Sequence, residues 1–195
     1  MEYILKRAKI KRLSIRINSS GEVIVNAPRN ISKDIIDDFV ISKNKWIKKQ
    51  LKSIEELQNK KSQYDFENYV YIYNTPIKFD GNKIDFYKSA FDNDIKKIVE
   101  EMSLRLNLQF KNLRIMNSVR IWGSLDYHKN MSLNWKIIIL PLDIIKYIIL
   151  HELCHGIEFN HSKKFWALVE QFVPNYKQYR RELKNYAFLL RTKVV

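Results

Sequence analysis

Residues His151-Glu152-Leu153-Cys154-His155, followed by Asn160-His161-Ser162, decide how the rest of the chain is read. The run has the form H-E-x-x-H, with a third histidine six residues after the second. On an α-helix, positions four apart lie about 40° apart around the axis, so His151 and His155 point the same way and can grip one metal ion. Glu152 sits about 100° round, beside the pair. A carboxylate there can take a proton from a water held by the metal. If the helix ends soon after His155, the chain can turn back and supply His161 as a third imidazole. Gly156 and Asn160 are residue types that permit such an ending. Three neutral imidazoles leave a fourth position open, as in catalytic zinc sites. A downstream carboxylate, Glu170 or Glu182, competes as third ligand, but the 151, 155, 161 spacing needs only one helix end and one turn.

The residues just before the motif, 144–150, are strongly apolar, so the motif helix belongs to the core. Two histidines and a glutamate in a core need partners, and one metal ion satisfies all three. Upstream, 131–140 alternates at Leu133 and Trp135 and then turns continuously apolar. It reads as a strand closed by Pro141, with an edge to which an extended substrate could add. Pro141 and Asp143 suit the first turn of the motif helix. Downstream, Ser162 can cap a helix carrying Phe165, Trp166, Leu168, Val169 and Phe172, which ends at Val173-Pro174-Asn175. A last helix carries Tyr176, Tyr179, Leu183, Tyr186 and Leu190.

Toward the N-terminus, Leu13, Ile15 and Ile17 alternate with polar residues, Ser19-Ser20-Gly21 turns, and Val23, Val25 and Ala27 alternate again. This is a hairpin, with a further strand expected around 3–7. Ser32 opens an amphipathic helix through Ile36, Val40, Ile47 and Leu51 that can reach residue 57. Lys43, Lys45, Lys48, Lys49 and Lys52 form its solvated face. Residues 59–62 suit a joint. Short strands are expected at 69–73, 77–79, 84–87, 113–116 and 119–122, with Gly123-Ser124 ending the last, and a helix capped by Asp92. The fold class is α+β: a small N-terminal antiparallel β lobe over residues 1–60, then a minimal catalytic domain over 61–195 that carries the H-E-x-x-H helix. The two can also form one continuous domain.

The chain has 195 residues, 35 of them basic and 21 acidic, for a formal net charge of +14. That charge favours an anionic partner such as nucleic acid or a nucleotide, unless it simply solvates the surface. One cysteine, Cys154, excludes an internal disulfide and a cysteine zinc finger. No signal-peptide pattern opens the chain, and the longest apolar stretch is too short and interrupted to span a membrane. A cytoplasmic setting without membrane association is the expectation.

Several blocks together resemble the YgjP-like family of zincin-type metallopeptidases, itself similar in pattern to SprT-like and WLM proteins. They are Trp122-Gly123-Ser124, Ser132-Leu133-Asn134-Trp135, Leu140-Pro141, the histidine motif, Phe165-Trp166, and Val173-Pro174-Asn175-Tyr176 with Arg180. Ala27-Pro28, Ser32 and Lys45-Trp46-Ile47 resemble the family's leading segment. The resemblance implies that the catalytic domain is zincin-like, with His151, His155 and His161 as metal ligands and Glu152 as catalytic acid/base. Ile121 and Leu125 stand where the family usually has arginine and cysteine, with Arg120 one place earlier, and Gly156 replaces a bulkier residue.

One divalent ion, zinc, is the expected cofactor; nickel, cobalt or iron would also suit three imidazoles. Trp122, Ser124, Asn134, Arg120, Tyr176 and Arg180 are the candidate substrate contacts, although a core role is the favoured reading of Tyr176. Three functions follow. The first is a zinc metallopeptidase. The second is a nucleoside triphosphate pyrophosphohydrolase on the same site, with Arg120, Arg180 or Arg181 holding phosphates. The third is a protease, or a binding module, brought to nucleic acid by its basic surface.

Overall fold

The computed structural model describes residues 2–195. Its contacts separate two compact units, Met1–Tyr64 and Asp65–Val195. The class is α+β.

In the first unit, β1 (Ile4–Ala8), β2 (Ser14–Ile17) and β3 (Val23–Pro28) form a sheet of order β1-β3-β2. β2 and β3 are the expected antiparallel hairpin, while β1 joins β3 in parallel. Gly21 supplies the left-handed turn residue between them, at φ +88°. Val23, Val25 and Ala27 face Ile36, Val40 and Ile47, which closes a small core. Those last three come from two helices, α1 (Lys33–Ser42) and α2 (Asn44–Lys61). The sequence reads as one helix here, but it breaks at Lys43. Ser42 Oγ donates to the Phe39 carbonyl at 2.7 Å, a local bond that competes with helical continuation.

The second unit begins with the hairpin β4 (Tyr69–Ile72) and β5 (Thr75–Lys78), whose turn residues Tyr73 and Asn74 both have positive φ. Residues 84–87, expected as a strand, lie instead in α3 (Lys83–Ala90). Asn82 Oδ1 accepts the amides of Ile84 and Asp85 and starts the helix. A π-helical turn, Phe91–Ile95, carries α3 straight into α4 (Lys96–Leu106), so Asp92 caps nothing.

β6 (Asn112–Met116), β7 (Gly123–Leu125) and β8 (Asn130–Asn134) form a sheet of order β6-β8-β7. β8 is parallel to β6 and antiparallel to β7. Two expectations are corrected here. Residues 119–122 are not a strand; the strand is Gly123–Leu125 itself. β8 ends at Asn134, and Trp135–Ile139 is a 3-10 helix. The Asn134 side chain makes that break: its Oδ1 accepts the Lys136 amide, and its Nδ2 donates to the carbonyls of Ser118 and Ile121. Because β8 is flanked on both sides, the edges of this sheet are β6 and the short β7, and β7 is the one that lines the cleft described below.

Pro141 then opens α5 (Leu142–Cys154), the core helix, with Ile145, Ile149, Leu150, Leu153 and Cys154 fully buried. α6 (Lys163–Phe172) and α7 (Tyr176–Leu183) complete the unit. The last helix is shorter than its pattern, giving way to a 3-10 turn at Lys184–Tyr186. Buried Lys136 reaches the tail that follows and donates to the carbonyls of Leu190 and Thr192.

Candidate metal centre

His151 stands in the last turn of α5, and His155 is its C-cap. The helix stops through a tight turn in which the amides of Ile157 and Glu158 both reach the Cys154 carbonyl at 3.0 Å. Neither Gly156 nor Asn160 adopts positive φ, so the left-handed ending expected from their residue types is not used. What asks for glycine at 156 is space: a Cβ there would stand 3.1 Å from the Leu153 carbonyl oxygen and 3.4 Å from Leu125 Cδ2. Ser162 then caps α6 by accepting the Phe165 amide at 3.3 Å. The cap directs Phe165 and Trp166 at the histidines.

The turn brings His161 back to the pair. Ligand-capable atoms of His151, His155 and His161 all lie within 4.8 Å of one another, close enough to share one ion after small side-chain rotations. His161 Nε2 is 2.9 Å from His151 Nε2. His155 Nδ1 lies 3.0 Å from the Glu158 carbonyl, which can only accept. Nδ1 therefore carries the hydrogen, and Nε2 is left with a lone pair for a ligand. Phe165, fully buried, stacks on His155 at 4.4 Å between centroids and meets His151 and His161 edge-on. Trp166 stacks on His161 at 5.5 Å.

The electrostatics agree with a cation site. Burial, then the neighbouring His155, His161 and Arg180, push the His151 pKa down to about 3. Burial and the nearby His155 and Arg180 lower His161 as well. Both rings are thus neutral donors, the form that binds metal. Among the described residues, buried His151 Nδ1 has no hydrogen-bond partner, so that ring's polarity is spent at the cluster alone. The residues present therefore fit a divalent ion with imidazole preference.

Glu152 is 7% exposed, and burial raises its pKa to about 8. Its carboxyl group lies against Gly123 of β7. A Cβ at 123 would meet Glu152 Cγ at 2.7 Å, Oε1 at 2.8 Å and Cδ at 2.9 Å. Only glycine lets the strand edge and the carboxylate approach this closely.

Histidines and Glu152 open onto a cleft of about 870 Å³. Of the candidate contacts, Arg120, Trp122, Ser124 and Arg180 line it. Asn134 does not: it is fully buried and holds the 118–122 segment in place. Tyr176 is 6% exposed and stacks behind Trp166 at 5.2 Å. His128 is exposed beside Tyr127 in the β7–β8 turn, outside the cleft. Glu170 bonds Lys177 at 3.4 Å, and neither it nor Glu182 joins the histidine cluster. Some cleft residues escape the sequence reading: Tyr147, four positions before His151 and hence on its face, is hidden in an apolar run, Phe159 carries no signal, and Gly123 reads as a strand ending and part of a family block, with no role at the site.

A helix-borne H-E-x-x-H pair, joined by a third imidazole under a strand edge, is the architecture of a metal-dependent hydrolase. The chain belongs to the YgjP-like metallopeptidase family, whose domain matches residues 11–83 and 80–186. No curated protein sequence matches it. Two solved structures are similar to part of it. The metallopeptidase zymogen abylysin of Pyrococcus abyssi shares 22% identity at a TM-score of 0.42, over 46% of this chain and 90% of that one. The metallopeptidase zymogen jannalysin of Methanocaldococcus jannaschii shares 27% identity at a TM-score of 0.42, over 46% of this chain and 93% of that one. Among the described residues, no helix is long and apolar enough to cross a membrane.

Proposed function

We propose that the protein is a zinc-dependent peptidase in which His151, His155 and His161 hold the ion and Glu152 is the acid/base. The observation that carries this is the convergence of three imidazoles beside a buried carboxylate at an open strand edge. Zinc in such a site is a Lewis acid that polarises a carbonyl and brings a water's pKa near ~7. Glu152 takes the proton from the attacking water as its oxygen bonds to the carbonyl carbon. It then delivers that proton to the amide nitrogen as the C–N bond breaks. Its dry environment favours holding a proton between the two steps. β7 offers unpaired backbone groups to an extended substrate, which would add as a neighbouring strand. Arg180, whose guanidinium stacks on Trp166 at 4.5 Å, makes no ion pair among the described residues. It is the group we assign to negative charge on the substrate or on the developing tetrahedral oxygen.

A second reading has its own support. Arg120 and Arg180 line a cleft in which, among the described residues, Glu152 is the one acidic residue. That balance suits a triphosphate hydrolysed to a nucleotide and pyrophosphate. Zinc-loaded protein assayed in parallel on unstructured polypeptides and on the four nucleoside triphosphates separates the two. Peptide fragments without pyrophosphate are expected; pyrophosphate release without peptide cleavage would replace the first reading with the second.

A further inference from the structure

Net charge is concentrated in the first unit. Residues 1–64 hold fifteen basic and seven acidic residues, a net of +8 out of the chain's +14. Within it, α2 carries Lys45, Lys48, Lys49 and Lys52, all exposed. At about 100° and 1.5 Å per residue, the four share an arc of about 100° and about 10 Å of helix axis. Trp46, 44% exposed, projects about 60° beyond Lys49.

This arrangement works against the helix that bears it. Lys45–Lys49 and Lys48–Lys52 are like-charge pairs four residues apart, which destabilise a helix. The cluster sits in its N-terminal half, where the macrodipole favours anions, and the first turn has no acidic residue. None of the four makes an ion pair among the described residues, and Glu55 and Glu56 lie beyond them toward the C-terminal end. A large exposed indole beside them adds nothing to the core of this unit, which is closed by Ile47 on another face.

We propose that this face of α2 binds single-stranded nucleic acid, its phosphates on the four lysines and a base stacked on Trp46. Closely spaced ammonium groups complement a phosphate backbone, and an adjacent aromatic face takes an unpaired base of any sequence. A duplex would offer the lysines their phosphates but leave Trp46 without a base.

The test is fluorescence anisotropy of a labelled mixed-sequence 20-nucleotide single strand with the full chain at 50 and 200 mM salt. Wild type binds, and log K falls with log salt. Replacing Lys45, Lys48, Lys49 and Lys52 together by Gln reduces that slope by up to about 3. The same four positions as Arg retain it. Trp46→Ala weakens single-strand binding about tenfold and leaves weaker duplex binding unchanged. Thermal midpoints show that the variants are folded, and the Gln variant melts at or above wild type. An unchanged slope in the Gln variant, equal binding by Trp46→Ala, or binding to anionic phosphatidylserine vesicles in place of the oligonucleotide would overturn the proposal.

Discussion

Replacing Gly123 by Ala puts one methyl group against the proposed acid/base, which supplies the three nearest atoms it would meet. The added Cβ would lie 2.7 Å from Glu152 Cγ and 2.8 Å from Oε1. Ordinary contact is about 3.5 Å between carbons, so the carboxyl group must retreat by roughly 0.8 Å. Glu152 can do this by rotating its side chain, so the cost to stability is small, about 1 kcal/mol. Catalysis is less tolerant: a misplacement near 1 Å costs about 10²-fold. Gly123→Ala should therefore lose about 10–100-fold in kcat, with zinc stoichiometry and Tm nearly unchanged. In a Glu152→Gln background the same change should add little, because the group it displaces is already disabled. Steady-state kinetics on the four proteins of this cycle measure it. Full activity in Gly123→Ala, or a full additive loss in the double variant, would refute the idea that β7 positions Glu152.

Three other outcomes are expected. His161→Ala should weaken zinc binding by more than the 10–100-fold typical of losing an outer partner, as read by chelator competition; full occupancy would return the third-ligand role to a carboxylate. Arg180→Ala should cost about 10²-fold in kcat/KM, and Arg180→Lys should recover only part, since an ammonium keeps the charge but loses the planar stack on Trp166; equal rates would remove Arg180 from the reaction. Lys136 is buried, and desolvation lowers its pKa below the ordinary 10.5. The unfolded chain binds the extra proton in the window just below 10.5, so this residue makes stability rise with pH there. Lys136→Met should flatten that rise in denaturant titrations; an unchanged slope would show that the ammonium is not desolvated.

The candidate site was largely legible because its chemistry is local. The 151, 155 spacing fixes one helix face, and Ser162 caps the helix that follows, so the return of His161 needed only the turn between them. The N-terminal hairpin was legible for the same reason, through strict alternation about Gly21. What escaped depends on contacts between distant segments. Residues 84–87 alternate like a strand, yet Tyr87 accepts the Tyr71 amide at its hydroxyl and packs on Trp135, contacts that go with the helix Asn82 caps. Residues 131–140 alternate and then turn apolar, and the bonds from Asn134 to the 118–122 segment and to the Lys136 amide end β8 at 134. Gly156 looked like a helix ending by residue type, whereas its lack of a side chain answers to Leu153 and Leu125. Gly123 carries no local sign that a glutamate 29 residues later will lie on it.

The most direct measurement is turnover by zinc-loaded Glu152→Gln against wild type, with zinc counted in the same samples. The expected result is one zinc per chain in both and a rate lower by about 10²–10⁴-fold in the variant, the usual worth of a positioned acid/base. An unchanged rate with zinc in place would contradict the assignment of Glu152, and with it the mechanism built on this helix.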